Sequence, residues 1–266
     1  MQSCIVKKRR NGFIMIGSKK IVCIIPARLD SVRFPRKILS SLANKPLLSW
    51  AWQAASRVPY FDEIYFAIDS EETALVIEQF GGKYHMTSLQ CASGTDRIIE
   101  LQQSGRVTAD IWVNWQGDEP FITTEMINTL LQTCLSPNEY CWTLKKKIEK
   151  PEQITARNIA KVVADHAGNA IYFSRSPIPC YRDNDGTPQV YYKHVGLYAF
   201  ADAIIPTLAT LPQGILEQAE KLEQLRLLES GIKIRFHETT QEVMGIDTVE
   251  DLKNAENHVK TTGLSA

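Results

Sequence analysis

Two aspartates occur in the chain with the neighbours expected of a metal site. Asp118 in VNWQGDEPFI follows an apolar run and precedes a helical pattern, and Asp247 in GIDTVEDL likewise lies behind a strand-like run and at a helix start. Carboxylates suit hard divalent cations, and Mg²⁺ takes only one or two of them together with phosphates and waters. Structural alternatives are an Asp-Glu-Pro turn at Asp118 and an N-cap at Asp247, with Glu250 completing a capping box.

A cationic segment follows the first apolar run. PARLDSVRFPRK (26–37) contains Arg28, Arg33, Arg36 and Lys37 and lacks glycine. Guanidinium groups bind phosphate oxygens through paired N–H donors. The segment has no GxxxxGK[ST] pattern, which excludes a P-loop. A solvated basic loop is the alternative interpretation.

Further polar residues lie in structured patterns. In SGTDR, Ser93 can cap a helix and Gly94 lets a ligand approach the backbone. Polar groups in apolar strands and an amphipathic helix are costly unless they find partners. These groups are Arg175 in YFSRSPIP, His194 and Tyr198 in KHVGLY, and Glu223 and Gln224 in KLEQLR. Taken singly, His194 is more typical of a structural histidine and Glu223 of a solvated helix residue.

The elements that must position these residues alternate in the first half. Short apolar strands are predicted at 20–26, 63–69, 83–86 and 110–115. Helices are predicted at 46–57, 71–81, 94–104 and 123–134. This alternation is typical of βαβ units with a parallel sheet, whose ligands bind at the carboxyl ends of the strands.

The second half of the sequence predicts a mixed arrangement of strands and helices. Strands are expected at 158–165, 169–175, 190–200 and 233–238, the first two forming an antiparallel pair. Helices are expected at 216–230, ended by Gly231, and at 248–259.

Composition excludes several classes of protein. The 266 residues carry 30 Lys+Arg and 30 Asp+Glu, so no broad nucleic-acid surface is predicted. Residues 1–20 hold six bases and no acid, and we expect 1–19 to be a disordered extension or to precede the true start, rather than a targeting signal. No apolar run approaches a membrane span. The six scattered cysteines favour a reducing cytoplasm over a zinc or disulfide scaffold.

Together these segments resemble the CMP-Kdo synthetases, the 3-deoxy-manno-octulosonate cytidylyltransferases, over about residues 20–260. The matching segments are IIPARLDSVRFPRKIL, AID, GGKYHMTSLQCASGTDRI, VNWQGDEPFI, YFSRSPIP, KHVGLYAF, LEQAEKLEQLR and GIDTVEDL. The resemblance implies a Rossmann-like α/β nucleotidyltransferase, with a mainly parallel sheet and a smaller mixed or antiparallel sugar-binding and dimerisation part. It also implies a cytoplasmic homodimer that converts CTP and Kdo to CMP-Kdo and pyrophosphate with Mg²⁺, for lipopolysaccharide biosynthesis.

The same resemblance implies roles for individual residues. Asp118 and Asp247 would bind the catalytic Mg²⁺, and Arg28 and Lys37 would contact the CTP phosphates. The residues near the nucleotide would be Ala27, Arg28, Lys37, Ser93, Gly94 and Gln116, with Gln116 between nucleotide and sugar. The residues facing the sugar acid would be Gln116, Arg175, His194, Tyr198, Glu223 and Gln224.

The expected organisation is a single domain over 20–262. Residues 20–135 would be mainly nucleotide-binding and 136–262 mainly sugar-binding and dimerising. The chain departs from the family pattern at Arg36, where RFPRK has Arg in place of the usual Gly, and in QEVMGID before Asp247. The basic leader has no counterpart in the family.

Two other functions fit the residues. One is a cytidylyltransferase for another 2-keto sugar acid, such as an amino-Kdo or a sialic-type acid. The other is a catalytically silent nucleotide-binding homologue, against which the presence of both Asp118 and Asp247 argues. A Rossmann-type binding module ranks last, because a fold alone implies no function.

Overall fold

The computed structural model describes residues 7–10, 13–16, 18–30, 34–183, 186 and 188–264. The strands, numbered in chain order, are β1 Lys7–Arg10, β2 Phe13–Ile16, β3 Ile21–Ala27, β4 Ser41–Leu42, β5 Lys45–Pro46, β6 Glu63–Ile68, β7 Tyr84–Met86, β8 Ile111–Asn114, β9 Cys141–Lys147, β10 Lys161–Ala164, β11 Ala170–Ser174, β12 Tyr192–Ala201 and β13 Arg235–Glu238. The helices are α1 Leu47–Ser56, α2 Glu71–Glu78, α3 Gly94–Gln103, α4 Thr124–Leu130, α5 Glu152–Thr155, α6 Ile205–Leu208, α7 Ile215–Glu220, α8 Leu225–Glu229 and α9 Val249–Thr262.

The chain forms two compact units. The first unit comprises Met1–Asn128 and Val243–Ala266, and the second comprises Thr129–Glu242. The C-terminal segment with Asp247 therefore groups with the first half of the chain. The assignment of nucleotide binding to 20–135 and sugar binding to 136–262 stays a prediction.

The first unit contains the predicted parallel strands. β8, β3, β6 and β7 lie side by side in that order, and each neighbouring pair is parallel. Every residue of β3 is buried, which explains its continuous apolar sequence, because a central parallel strand is covered on both faces. The loops that carry the basic segment, Asp69 and Asp118 follow the carboxyl ends of β3, β6 and β8.

The C-terminal helix α9 packs within the first unit. Ala255 and Val259 of α9 join Ile246 and Trp50 of α1 in one buried apolar cluster. The Trp50 indole N–H donates to the carbonyl of Leu42 at 3.0 Å, which anchors α1 to β4. This packing brings the segment that contains Asp247 back to the strands of the first unit.

The second unit has a mixed, mainly antiparallel arrangement. The long strand β12 pairs antiparallel with β9 and β10, and β10 pairs antiparallel with β11, whereas β13 pairs parallel with β9. Its buried side chains include Trp142, Phe173 and Leu197. The two units confirm the predicted fold class, a mainly parallel part with a mixed, antiparallel one. The strand β9 was not predicted, because CWTLKKK ends in three lysines.

The predicted helix over 216–230 is wrong, since the structure has two short helices, α7 and α8. Lys221 ends α7 in the left-handed region with φ 53°. The Arg175 guanidinium donates to the carbonyls of Glu220 at 2.7 Å and Lys221 at 3.1 Å. A continuous helix needs those two carbonyls for its own hydrogen bonds, so the arginine contacts favour the break.

The predicted disordered extension lies partly outside the described residues. Within it, β1 and β2 pair antiparallel, with Lys7 opposite Ile16. The assignment of residues 1–19 as a whole stays a prediction. In the described part of the chain, no helix has both the length and the apolar character to cross a membrane.

Candidate active site

Three predicted residues meet in the first unit. The Lys37 ammonium donates to the Asp118 carboxylate and, at 2.9 Å, to Asp247 Oδ1. The Lys37 side chain is 13% exposed, whereas that of Asp247 is 44% exposed. The structure therefore places one cationic group between two carboxylates, with solvent access on the Asp247 side.

The loop after β8 holds Asp118 in position. The Gly117 amide donates to the Pro26 carbonyl at 3.2 Å, and the Asp118 carbonyl accepts from the Ile246 amide at 2.9 Å. A Cβ on Gly117 would lie 3.0 Å from the Pro26 carbonyl oxygen and 3.1 Å from Leu48 Cδ2, so the close approach requires glycine. These contacts fasten the Asp118 loop both to the end of β3 and to the segment before Asp247.

The capping interpretation of Asp247 is wrong. The N-cap of α9 is Thr248, which forms a capping box with Asp251. Asp251 also accepts the amides of Asp247 at 3.1 Å and Thr248 at 2.8 Å. Because capping falls one residue later than predicted, the Asp247 carboxylate is turned to Lys37 instead.

The carboxylates of Asp118 and Asp247 raise the pKa of two neighbouring groups. Burial opposes the charged form of Lys37, but Asp118 and Asp247 outweigh it and raise the lysine pKa. Burial, followed by the charges of Asp118 and Asp247, raises the pKa of Glu119 to about 8, with Lys37 acting in the opposite direction. Glu119 Oε2 is buried without a hydrogen-bond partner in the described residues. In the sequence, the adjacent Asp118 was the only available signal for the raised pKa of Glu119.

The cationic loop after β3 is anchored by a buried ion pair. Asp69 accepts the Leu29 amide at 3.0 Å and the Arg97 guanidinium at 2.7 Å, and both charged side chains are almost fully buried. Arg28 beside Leu29 is exposed, and Arg33 lies outside the described residues. The segments AID and SGTDR contain Asp69 and Arg97, but nothing in their sequence indicates that the two residues pair.

The predicted nucleotide-contacting residues gather near the ends of β3 and β8. Ser93 caps α3, and a Cβ on Gly94 would lie 2.9 Å from Pro26 Cγ and 3.2 Å from Gln116 Nε2. Gln116 donates from Nε2 to Asn114 Oδ1 at 2.9 Å. Ala27 is buried at the end of β3, and its Cβ lies 3.5 Å from the position a Gly117 Cβ would take.

The backbone conformation at Arg36 explains why glycine suits this position. Its φ of 58° lies in the left-handed region, where a side chain is strained, and it precedes the 3-10 helix Lys37–Leu39. The Arg36 guanidinium pairs with the exposed carboxylate of Glu72 on α2. The loop thus keeps a backbone conformation suited to glycine, while the added side chain bonds to α2.

Substitutions at Arg36 separate the strain from the ion pair. Arg36→Gly and Arg36→Ala both remove the pair, which is exposed and contributes between 0 and about 1 kcal/mol. Only Gly relieves the left-handed conformation, so Arg36→Gly should exceed Arg36→Ala in free energy of unfolding by about 1 kcal/mol. Urea unfolding measures the difference, and equal stabilities would contradict the strain.

The second unit contains another group of predicted residues. His194 and Tyr198 lie on β12 with ring centroids 5.3 Å apart. Burial, then the charges of Cys141 and Glu223, raise the pKa of Tyr198. The Tyr198 hydroxyl and Gln224 Nε2 are buried without partners among the described residues. Such atoms are rare in folded proteins, so they indicate where a polar ligand could bind.

The Arg175 guanidinium is partly used by the backbone. It donates to the carbonyls of Glu220, Arg157 and Lys221 at 2.7, 2.9 and 3.1 Å. These bonds use three N–H donors of a group that carries five, which leaves two for a ligand. The sugar-binding roles of Arg175, His194, Tyr198, Glu223 and Gln224 stay predictions.

A lysine between two carboxylates, at the carboxyl ends of parallel strands, is an arrangement suited to the phosphates and cation of an α/β nucleotidyltransferase. The cytidylyltransferase family model matches residues 22–234. The chain belongs to the cytidylyltransferase family.

Relatives of this chain are named 3-deoxy-manno-octulosonate cytidylyltransferase. One from Solibacter usitatus is 44% identical over 92% of this chain and 96% of its own length, and one from Thermodesulfovibrio yellowstonii is 42% identical over 90% and 98%. A solved CMP:2-keto-3-deoxy-manno-octonic acid synthetase complexed with CTP superposes with a TM-score of 0.86 and 37% identity, over 91% of this chain and 99% of that one. The 4-diphosphocytidyl-2C-methyl-D-erythritol synthase of Anaerococcus prevotii, at TM-score 0.59 and 15% identity over 91% of this chain and 99% of that one, shares the fold.

Proposed function

We propose that this protein transfers CMP from CTP to the anomeric hydroxyl of Kdo, releasing pyrophosphate. The observation that carries the proposal is the meeting of Lys37, Asp118 and Asp247 at the carboxyl ends of parallel strands. Relatives above 40% identity named for this reaction support it. The product would serve lipopolysaccharide biosynthesis, and we expect a homodimer in the cytoplasm that binds neither nucleic acid nor membrane.

The donor set fits magnesium. Asp118 and Asp247 approach the same ammonium group, so one cation can contact both carboxylates. Among the described residues there is no group of three or more His, Cys, Asp or Glu able to hold a metal. Magnesium needs none, because it completes its octahedron with phosphates and waters. When bound by these two aspartates, Mg²⁺ would lower the pKa of the sugar hydroxyl and neutralise charge at the α-phosphate.

In this proposal, the other residues of the first unit bind and orient CTP. The Arg28 guanidinium and Lys37 ammonium would hold the β- and γ-phosphate oxygens and stabilise the leaving pyrophosphate. Lys37 can exchange a carboxylate for a phosphate partner, because its ammonium sits on a flexible stem. Gln116 would orient the α-phosphate and sugar for in-line attack, and Ala27, Ser93 and Gly94 would border the nucleotide.

The polar cluster of the second unit would bind the sugar acid. Tyr198 and Gln224 have buried polar atoms that lack partners in the described chain, which a sugar's hydroxyls could supply. Glu223 carries a charge that acts on the Tyr198 phenol. Arg175 has N–H donors left for a carboxylate.

A panel of sugar acids with CTP and Mg²⁺, followed by pyrophosphate release, tests the substrate. We expect kcat/KM for Kdo to exceed that for amino-Kdo and sialic-type acids by at least about tenfold, because one substituent changes the fit by roughly that factor. A preference for another acid would favour the alternative substrate. Calorimetric binding of CTP without pyrophosphate release from any acid would favour the silent homologue.

A further inference from the structure

The hydroxyl of Thr143 lies among three polar atoms inside the second unit. Thr143 on β9 is fully buried, at 0% exposure. Its Oγ1 lies 2.9 Å from the Leu197 carbonyl, 3.2 Å from the Val195 carbonyl and 3.0 Å from His194 Nε2. Both carbonyls belong to the irregular part of β12, where the register against β9 shifts between Val195 and Tyr198.

The Thr143 hydroxyl has only one proton to donate, and its hydrogen bonds therefore determine which ring nitrogen of His194 is protonated. A threonine hydroxyl has one proton to donate, and the carbonyls of Val195 and Leu197 can only accept. If Thr143 donated to His194, both carbonyl oxygens would face its lone pairs. Donation to a carbonyl leaves the hydroxyl as an acceptor, so His194 carries its proton on Nε2 and its Nδ1 is an unprotonated acceptor.

The His194 ring is also held in orientation. Phe173 contacts it edge to face, with centroids 5.1 Å apart and an angle of 83°, and Tyr198 packs at 5.3 Å. Burial lowers the pKa of His194 to about 3, so the imidazole is neutral at neutral pH. A neutral ring oriented in this way offers a ligand one acceptor and no second N–H.

We propose that Thr143 is a positioning residue that sets His194 to accept, at Nδ1, a hydrogen bond from a hydroxyl of the sugar acid. This inference rests on the proposed function and deepens it. A sugar carboxylate facing Nδ1 would meet a lone pair and be repelled. His194 is therefore unsuited to the sugar carboxylate, for which Arg175 keeps two N–H donors.

The test compares Thr143→Val with Thr143→Ser. Nitrogen-15 NMR of the histidine rings, with the signal assigned through His194→Gln, reports the tautomer without substrate. Wild type and Thr143→Ser should show the Nε2–H form, and Thr143→Val should populate the other tautomer. The KM for Kdo should rise about five- to tenfold in Thr143→Val, the factor expected from one misplaced hydrogen bond, and recover in Thr143→Ser, while the KM for CTP changes less than twofold.

A second threonine–histidine pair supplies the matched control. Thr133 Oγ1 lies 3.1 Å from His237 Nε2, also in the second unit. Thr133→Val should leave the KM for Kdo and the His194 tautomer unchanged. If Thr143→Val does not fold, as judged by thermal unfolding, Thr143→Ala gives the same readouts without an added methyl.

The outcomes distinguish the two proposals. An unchanged His194 tautomer and unchanged KM for Kdo in Thr143→Val, with an active wild type, overturn the role of Thr143. A Kdo KM that rises equally in Thr143→Ser and Thr133→Val also overturns it, since the effect would then be general loosening. A wild type that releases no pyrophosphate with Kdo overturns the proposed function, while the tautomer measurement still stands.

Discussion

Replacing Asp118 with Asn is expected to lower kcat about a thousandfold while the protein stays folded. Asn keeps the shape and one oxygen of the side chain but loses the negative charge that would hold Mg²⁺. A metal ion at the reacting phosphate contributes several kcal/mol to the transition state, and each 1.36 kcal/mol is a factor of ten. Pyrophosphate release under saturating CTP and Kdo measures the loss.

Stability should respond weakly to the same substitution. Asp118 is paired with Lys37, yet it also lies near the like charge of Asp247, and its own charge helps to raise the pKa of the buried Glu119. Loss of the attraction and loss of the repulsion offset each other in the ligand-free protein. A thermal midpoint within a few degrees of wild type would show that the change in kcat is chemical.

Two further variants sharpen the result. Asp247→Asn should reduce kcat similarly, and the double variant should be little worse than either single one, because both would hold the same ion. Glu250→Gln is the matched control, an exposed acid at the start of α9. Full activity of Asp118→Asn, or an equal loss in Glu250→Gln, would remove Asp118 from the metal site.

The regular spacing of apolar residues allowed the fold class to be predicted from the sequence. The continuous apolar run of β3 and the helical periods that follow reflect burial on two faces or one, and burial constrains every position of an element. The prediction of one helix over 216–230 was wrong because the contacts that favour the break come from Arg175. That arginine is distant in sequence and bonds to the carbonyls of Glu220 and Lys221.

The site was predictable by residue type but not by local geometry. Asp118 and Asp247 stood out because each follows an apolar run, and the structure brings both to Lys37. The capping pattern at Asp247 was misplaced by one residue, since both Asp and Thr are accepted at the N-cap and here they are adjacent. The links through Asp69 to Arg97 depend on pairings of side chains that no local pattern encodes.

Replacing Lys37 with Ala should reduce kcat/KM for CTP by about 10- to 100-fold. The variant loses a charged hydrogen bond to phosphate, which contributes roughly 1.5–3 kcal/mol, and 1.36 kcal/mol corresponds to a factor of ten. The KM for Kdo should change less than twofold, because the two carboxylates that Lys37 contacts, Asp118 and Asp247, both belong to the first unit. Initial rates at varied CTP and varied Kdo separate the two effects.

The position of Lys37 predicts a second effect, measurable without substrate. Its ammonium contacts both Asp118 and Asp247, so it competes with Mg²⁺ for them in the ligand-free protein. In Lys37→Ala the two carboxylates face each other without that cation, and Mg²⁺ alone should raise the thermal midpoint more than in wild type. Lys20→Ala removes a half-buried lysine paired with Glu63 at 2.8 Å and should leave both the Mg²⁺ response and CTP kinetics unchanged. An equal Mg²⁺ response in wild type and Lys37→Ala would mean that the aspartates do not share one ion, whereas unchanged CTP kinetics would remove Lys37 from the phosphate site.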